Sequence, residues 1–205
     1  MQKYGRTYHF PFSPGVQSDD KIIPSLERFD GQDVVVTEKM DGENTTIHPG
    51  GCHPRSPDAR YHPSRDWMMA FAATISHQLE SDERIIGEYL YARHSIAYDA
   101  LSSYFLGFAW VKADVFQPWD ATRSRLDALG IQSVPELCQG TFDLSSIQDL
   151  AGSLDTAKQE GFVMRLTGAF PEAEMGVSVA KWVRAGHVQS QAHWTKSPLI
   201  ANGLA

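Results

Sequence analysis

The chain has 205 residues, a length typical of one compact domain, and 42% of them are hydrophobic, which excludes disorder along its whole length. Eighteen basic and 25 acidic residues give a formal net charge of −7, so any nucleic acid would have to be held by a local basic groove. No apolar run is long enough to span a bilayer, the first residues lack the pattern of a secretory signal, and only two cysteines occur; we therefore expect one soluble cytoplasmic domain over residues 1–205, with no membrane partner.

The first elements predicted in chain order are two strands. Residues 34–39, with the sequence VVVTEK, are rich in β-branched side chains, and residues 43–48 show a second extended pattern. Between them, Asp41 and Gly42 form a dipeptide typical of tight turns, so we predict a β-hairpin over residues 33–48. Four prolines in residues 48–64 then predict an irregular loop.

Helices and further strands follow this loop. Apolar spacing predicts three helices, over residues 66–79, 121–129 and 145–154. We expect Ser64 or Asp66 to cap the first, Gly130 to end the second, and Ser145 or Ser146 to cap the third. Four more strands are predicted over residues 84–91, 104–111, 160–166 and 177–183. Because strands and helices do not alternate regularly, the fold class is α+β.

Charged residues punctuate these apolar strands. Lys39 stands at a strand end immediately before the turn at Asp41 and Gly42, which lets backbone approach a ligand closely. Glu88, Glu160 and Lys181 interrupt three later strands, where a buried charge needs a partner. A lysine beside Asp-Gly is also compatible with a plain hairpin, and the two glutamates with structural ion pairs. The order of the whole set is what predicts a shared site.

This ordered set resembles the motifs of the ATP-dependent RNA ligase family, which belongs to the covalent nucleotidyltransferases. The matching segments are EKMDG (38–42), IIGEYLYARHSIAY (85–98), YFLGFAWV (104–111), EGFVMR (160–165) and VAKWVR (179–184). The resemblance implies an adenylyltransferase domain of antiparallel sheets flanked by helices. It also implies that Lys39 attacks the α-phosphate of ATP, expels pyrophosphate and becomes lysyl-AMP.

The same resemblance assigns roles to individual residues. It makes Lys39, Glu160 and Lys181 catalytic, and Glu88 and Glu160 the carriers of a divalent metal, Mg²⁺ or alternatively Mn²⁺. His94 and Arg184 are additional candidates for the site. The residues implied to bind the nucleotide are Glu38, Lys39, Gly42, Arg55, Glu88, Phe108, Glu160 and Lys181.

Chemistry sets a condition on the nucleophile. A free lysine is only about one part in 2,500 neutral at pH 7, so a nearby cation has to disfavour its ammonium form. Lys181 and a bound metal are the candidates, whereas the carboxylates of Glu88 and Glu160 act in the opposite direction.

Two positions depart from the family pattern. Val183 stands where the family often has a second lysine, and Arg184 could replace that lysine only if the strand ends or bulges there. Ala109 follows Phe108 where the family commonly has an acid.

Several residues keep a second interpretation. Phe108 is equally consistent with a core residue, and Phe105 is its alternative as the ring that stacks on the nucleobase. Arg60 and Arg65 lie in the same irregular segment as Arg55. A zinc site is disfavoured because the spacing fits no paired-ligand signature; its four candidate ligands are His48, Cys52, His53 and His62.

The implied reaction is the joining of an RNA 5′-phosphate end to a 3′-hydroxyl end through transferred AMP. About twenty residues follow Arg184, too few for the oligonucleotide-binding barrel of DNA ligases and capping enzymes, which favours RNA as substrate and an end-healing protein as partner. Two alternatives stay open: a minimal DNA ligase, and an RNA-binding or nucleotide-sensing module that has lost turnover.

Overall fold

The computed structural model describes residues 2–55, 62–186 and 199–205. Within these ranges the chain forms twelve strands and four α-helices, which are β1 (Tyr8–His9), β2 (Asp33–Glu38), β3 (Glu43–His48), β4 (Gly51–Pro54), α1 (Asp66–Ala73), β5 (Glu83–Tyr89), β6 (Phe105–Lys112), β7 (Val115–Phe116), α2 (Trp119–Ala128), β8 (Gln132–Ser133), β9 (Glu136–Thr141), α3 (Leu144–Ser153), β10 (Gly161–Leu166), β11 (Phe170–Pro171), α4 (Met175–Ser178) and β12 (Val179–Val183). Short 3₁₀ helices cover Glu27–Phe29, Pro63–Arg65, Ser76–Gln78 and Glu172–Glu174.

The strands form two sheets. The first has five strands in the order β1-β12-β10-β2-β9, and the second has the order β11-β7-β6-β5-β3-β4, with β8 paired to β6 as a seventh strand. All pairings are antiparallel except β1 with β12 and β6 with β8. The expected α+β class of antiparallel sheets with flanking helices is confirmed.

The predicted hairpin over residues 33–48 is wrong, although both of its strands form. Strand β2 pairs with β10 and β9 in the first sheet, whereas β3 pairs with β5 and β4 in the second. Residues 39–42 therefore cross from one sheet to the other. The carboxylate of Asp41 does not close a turn, because it accepts hydrogen bonds from the backbone amides of Ser95 (2.7 Å) and Ile96 (2.8 Å).

Part of the segment predicted to be irregular is a strand. Strand β4 pairs with β3 at the edge of the second sheet, and Pro54 takes its last position, where a missing N–H is tolerated. Residues 56–61, which include Arg60, lie outside the described residues. Within the described ranges, no group of three or more His, Cys, Asp or Glu side chains is arranged to hold a metal ion.

The predicted helices form, with differences at their ends. Helix α1 stops at Ala73, six residues before the expected end, and a 3₁₀ turn follows. Neither Ser64 nor Asp66 caps it; instead, the amide of Ser64 is bonded to the His62 side chain in the preceding 3₁₀ turn. Helix α2 ends before Gly130, whose φ of 69° suits a glycine, as predicted.

Two further ends differ from the predictions. The side chain of Asp143, and neither Ser145 nor Ser146, caps α3 by accepting from the Ser146 amide at 2.8 Å. The last strand begins at Val179, because residues 175–178 form the short helix α4.

The buried core forms three clusters. Val35 of β2 points toward the second sheet and packs with Leu106 of β6. Val36 of β2 and Met164 of β10 point to the other face of the first sheet and belong to another cluster, which also includes Ile86 of β5. The neighbouring Ile85 points to the other face of the second sheet, where it joins a separate cluster with α1 and α2, because successive side chains alternate across a sheet. The same alternation leaves polar side chains of both sheets facing each other at one end of the interface.

Candidate active site

A cavity of about 530 Å³ opens between the two sheets. Eight of the ten site residues expected from the sequence line it: Glu38, Lys39, Gly42, Arg55, Glu88, His94, Phe108 and Lys181. The other two, Glu160 and Arg184, lie next to residues of this group. The two-sheet arrangement thus gathers positions that span more than 140 residues of sequence.

Lys39 is the first residue after β2, and its amide donates to the carbonyl of Gly161 at 2.9 Å. Its Nζ lies 2.6 Å from Oε2 of Glu160, with the two side chains 24% and 6% exposed, so the amine points into the cavity and away from bulk solvent. Burial alone would lower the pKa of Lys39, but the carboxylates of Glu160 and Glu88 together raise it above its ordinary value. This arrangement favours the ammonium form of Lys39.

Glu88 projects from the middle of the second sheet toward the same point. Its Oε1 accepts a hydrogen bond from the amide of Gly42 at 3.2 Å. Gly42 is required there because a Cβ would collide with the carbonyl oxygen of Tyr89. Burial raises the pKa of Glu88 to about 8, even though Lys39 lowers it. The site therefore carries a carboxyl group that titrates near neutral pH.

Lys181 enters the cavity from β12. Its Nζ lies 3.7 Å from Oδ1 of Asp20. Burial and the nearby Lys39 cation lower the pKa of Lys181, and Asp20 opposes them. Lys39, Lys181, Glu88 and Glu160 thus share one partly buried space, in which positive and negative side chains lie close to one another.

Phe108 and Phe105 occupy different surroundings. Phe108 is half-buried and lines the cavity, where its ring meets the edge of the Tyr4 ring at a centroid distance of 5.6 Å. Phe105 is 0% exposed and packs with the helices on the far side of the second sheet. Of the two rings, Phe108 is the one placed for contact with a ligand.

Two of the expected nucleotide-binding residues sit at the ends of strands. Arg55 follows β4, and its amide donates to the carbonyl of Asn44 at 2.9 Å, which extends the strand pairing by one bond. Glu38 ends β2; its carboxylate accepts from the Gln159 side chain at 3.1 Å, and burial raises its pKa.

His94 lies near Asp41, two residues after Lys39, and Arg184 lies next to Glu160, the partner of Lys39. Nδ1 of His94 is 3.9 Å from the carboxylate of Asp41. Strand β12 ends at Val183, as a role for Arg184 in place of a second lysine would require. Arg184 does not line the cavity; its guanidinium donates to the Ser95 hydroxyl at 3.1 Å, and its amide to the Glu160 carbonyl at 3.0 Å.

Sequence reasoning missed several polar residues of the cavity, among them Tyr4, Asp20 and Arg165. Arg165 could have been found, because it lies two residues after Val163 on the cavity face of β10. It is buried, its guanidinium lies 5.1 Å from the Phe170 ring, and burial lowers its pKa to about 10. The first 23 residues carry no periodic pattern, so nothing in the sequence singled out Tyr4 or Asp20.

The donor set suits a hard divalent cation that shares its coordination with a ligand. Glu160 and Glu88 are the carboxylates that raise the pKa of Lys39 most, and two carboxylates plus phosphate oxygens and water are a usual environment for Mg²⁺. Both carboxylates raise the pKa of Lys39, so their negative charges act on the same amine.

The chain matches a known protein family and is similar to several solved structures. The sequence profile of the RNA ligase family matches residues 32–183. An archaeal ATP-dependent RNA ligase is similar over 90% of this chain and 48% of its own, with a TM-score of 0.61 and 17% identity. A proposed ATP-dependent DNA ligase from Aquifex aeolicus is similar over 90% of this chain and 50% of its own, with a TM-score of 0.58 and 15% identity.

A third similar structure is a Naegleria gruberi RNA ligase variant with ATP and Mn, at 17% identity, a TM-score of 0.51, and coverage of 90% of this chain and 60% of that one. At these identities the likeness shows a shared fold. The chain spans about half the length of the archaeal ligase it matches. A comparison with curated protein sequences finds no significant match.

Proposed function

The chain belongs to the RNA ligase family, and from this premise we propose that it joins RNA ends in an ATP-dependent reaction. The observation that carries the proposal is the position of Lys39, whose Nζ lies in the cavity between the sheets, 2.6 Å from Glu160. No other lysine amine among the described residues is placed so close to a buried carboxylate.

The first step is attack by Lys39 on the α-phosphorus of ATP. The N–P bond of lysyl-AMP forms while the bond to the pyrophosphate oxygen breaks, so the leaving group carries away the electron pair. The ammonium must first lose a proton, and Oε2 of Glu160 is the acceptor within hydrogen-bond reach.

A divalent cation is part of this proposal, with Mg²⁺ preferred and Mn²⁺ as the alternative. Glu88 and Glu160 would hold it together with phosphate oxygens. When bound, it would neutralise the two carboxylates that raise the pKa of Lys39, and so favour the neutral amine.

The other residues orient the nucleotide. Lys181 faces the α-phosphate and offsets charge that moves toward pyrophosphate, and Phe108 provides a stacking surface worth about 1–3 kcal/mol for a base. Gly42 lets the backbone approach the nucleotide, and Arg55 and Glu38 flank it. We assign His94 and Arg184, which contact Asp41 and Ser95, to positioning the RNA end.

Two transfers complete the reaction. AMP passes from Lys39 to a 5′-phosphate end, and a 3′-hydroxyl then attacks that phosphate and releases AMP. An end-healing protein that supplies such ends stays a prediction, as does a cytoplasmic location. Among the described residues, the structure has no helix with the length and apolarity that a membrane span needs.

The test is intact-protein mass measurement after incubation with ATP and Mg²⁺. We expect an AMP adduct on the wild type and on Lys158→Ala, an exposed control, and none on Lys39→Ala. An adduct that survives in Lys39→Ala would remove the assigned nucleophile, and its absence from the wild type would favour a nucleotide-sensing module.

The substrate is tested separately. Nicked duplexes with RNA or DNA strands at the break distinguish RNA sealing from the minimal DNA ligase. We expect sealing where the break is in RNA, and faster sealing of a DNA break would overturn the substrate assignment.

A further inference from the structure

Lys181 has an acidic neighbour that lies outside the part of the chain shared with the family. The family profile begins at residue 32, whereas Asp20 belongs to the N-terminal segment, which we define as residues 2–31. Oδ1 of Asp20 is 3.7 Å from Nζ of Lys181, and both side chains are mostly buried. Asp20 is therefore a cavity residue contributed by a segment that the family profile does not match.

Asp20 is held firmly in place. The amide of Gln17 donates to its Oδ2 at 3.0 Å, while its own amide donates back to the Gln17 carbonyl at 3.1 Å. The same Oδ2 lies 3.1 Å from Nε2 of His9, a residue that is fully buried.

His9 ties this arrangement to the strand that carries Lys181. Strand β1 pairs with β12 so that His9 is the register partner of Lys181. On its other side, Nδ1 of His9 is 2.9 Å from the Ser13 hydroxyl, which accepts from the Val183 amide at 2.9 Å. Asp20, His9 and β12 therefore form one fixed unit.

The distance between Asp20 and Lys181 suits a carboxylate that orients the ammonium without engaging it in a strong hydrogen bond. At 3.7 Å the carboxylate attracts the ammonium but is too far for a strong hydrogen bond, so the donors of Lys181 stay available to a phosphate. Partly buried charges at such a distance interact more strongly than they would in water.

We propose that Asp20 is a positioning residue for Lys181, held by His9, which keeps the ammonium aimed into the cavity before the nucleotide arrives. This inference rests on the proposed function for its catalytic consequence, but the link between Asp20 and Lys181 is testable without activity.

The first test measures Lys181 directly, by competitive acetylation of the folded full-length protein at mildly alkaline pH with mass-spectrometric readout. In Asp20→Asn we expect Lys181 to react about threefold to tenfold faster relative to exposed Lys158, since an ammonium without its anionic partner loses its proton more readily. Lys39, Glu160 and Arg55 also face Lys181 and are unchanged in this variant, so the difference reports on Asp20.

Two further variants separate charge from folding. Asp19→Asn makes the same charge change at the exposed neighbouring residue and should label like the wild type. Asp20→Ser removes the charge but keeps an oxygen that can accept from the Gln17 amide, and it should label like Asp20→Asn. Labelling of Lys181 that stays within about twofold of Asp19→Asn in both Asp20 variants would overturn the proposal.

The second test measures single-turnover formation of the AMP adduct over a range of ATP concentrations. For Asp20→Asn we expect the maximal rate to fall about tenfold, while half-saturation by ATP is unchanged or reached at lower concentration, because a negative charge near the phosphates is gone. A weakened nucleotide affinity with an unchanged maximal rate would contradict a positioning role. If no variant forms an adduct, the proposed function fails, while the labelling result still decides the link between Asp20 and Lys181.

Discussion

Lys39 is subject to opposing electrostatic demands. Burial favours its neutral form, and the carboxylates of Glu160 and Glu88 favour its charged form and prevail. The lysine is therefore held as an ammonium, and the proposed attack requires added positive charge, or the loss of negative charge, beside it. Glu88 is the carboxyl group whose protonation changes this balance near neutral pH.

The raised pKa of Glu88 predicts a pH-dependent stability. In the unfolded chain the group titrates near 4.5 and in the folded protein near 8, so both states are protonated at low pH and the contribution to stability is complete there. As the pH rises from about 5 to about 8, the unfolded state releases its proton first, and stability falls by on the order of 2 kcal/mol after allowance for solvent screening.

Glu88→Gln should lack this slope, because its amide does not titrate. Urea titrations of the wild type and of Glu88→Gln at several pH values give both unfolding free energies. The change of their difference with pH measures the contribution of Glu88. Parallel curves for the wild type and the variant would show that Glu88 does not titrate in this range.

At the scale of the element, β6 presents neighbouring aromatics to different surroundings. Phe108→Ala should weaken half-saturation by ATP about tenfold through loss of a stacking surface, with a small change in stability. Phe105→Ala should instead cost about 3–5 kcal/mol of unfolding free energy, because it empties a fully buried site. Measuring both quantities for both variants checks the assignment, and an exchange of the two patterns would reverse it.

The connection between β2 and β3 predicts a second effect at this scale. Asp41 accepts hydrogen bonds from the Ser95 amide, the Ser95 hydroxyl and the Ile96 amide, all at 2.7–2.8 Å. Asp41→Asn weakens these charge-assisted bonds, so we expect adduct formation to slow about tenfold or more and stability to drop by about 1–3 kcal/mol.

The matched control is Asp99→Asn, an exposed substitution between β5 and β6, the connection that also carries Ser95 and Ile96. It should leave the rate of adduct formation and the stability unchanged. Single-turnover rates and thermal unfolding measure the effects. An Asp41→Asn protein with the wild-type rate would show that this contact does not position Lys39.

Some of these elements could be predicted from the sequence and others could not. The strands β5, β6 and β10 were predictable because each is rich in apolar residues, and the charged residues within or beside them pointed to a common site. The crossing at residues 39–42 was not, because a local Asp-Gly signal competes with distant amides at Ser95 and Ile96 that only the folded chain provides. Asp20 was missed for the same reason: its partners Lys181 and His9 come from other parts of the chain.

At the scale of the whole molecule, segments outside the family match support the site from two sides. The N-terminal segment brings Asp20 to Lys181. At the other end, Asn202 is 5% exposed; its side chain accepts from the Tyr98 amide at 3.0 Å and donates to the Leu90 carbonyl at 2.7 Å. The Tyr98 hydroxyl in turn accepts from the Asp41 amide at 2.9 Å, so the support reaches the segment that carries Lys39.

Asn202→Ala should therefore lower both stability and activity. It leaves two buried backbone groups without their partners, at a cost of about 1–3 kcal/mol each. Chemical denaturation measures the loss, with the exposed Gln148→Ala on α3 as a control that should change stability by less than about 0.5 kcal/mol. An equal effect of the two substitutions would show that the Asn202 contacts contribute nothing.

The placement of β2 and β3 in different sheets has a consequence for protein synthesis. Strand β2, which ends just before Lys39, finds its partner β10 more than a hundred residues later, and β12 joins β10 later still. A chain still tethered to the ribosome before residues 160–183 emerge holds Lys39 without Glu160 or Lys181 beside it. The cavity is therefore assembled only when the most distant strands close the first sheet.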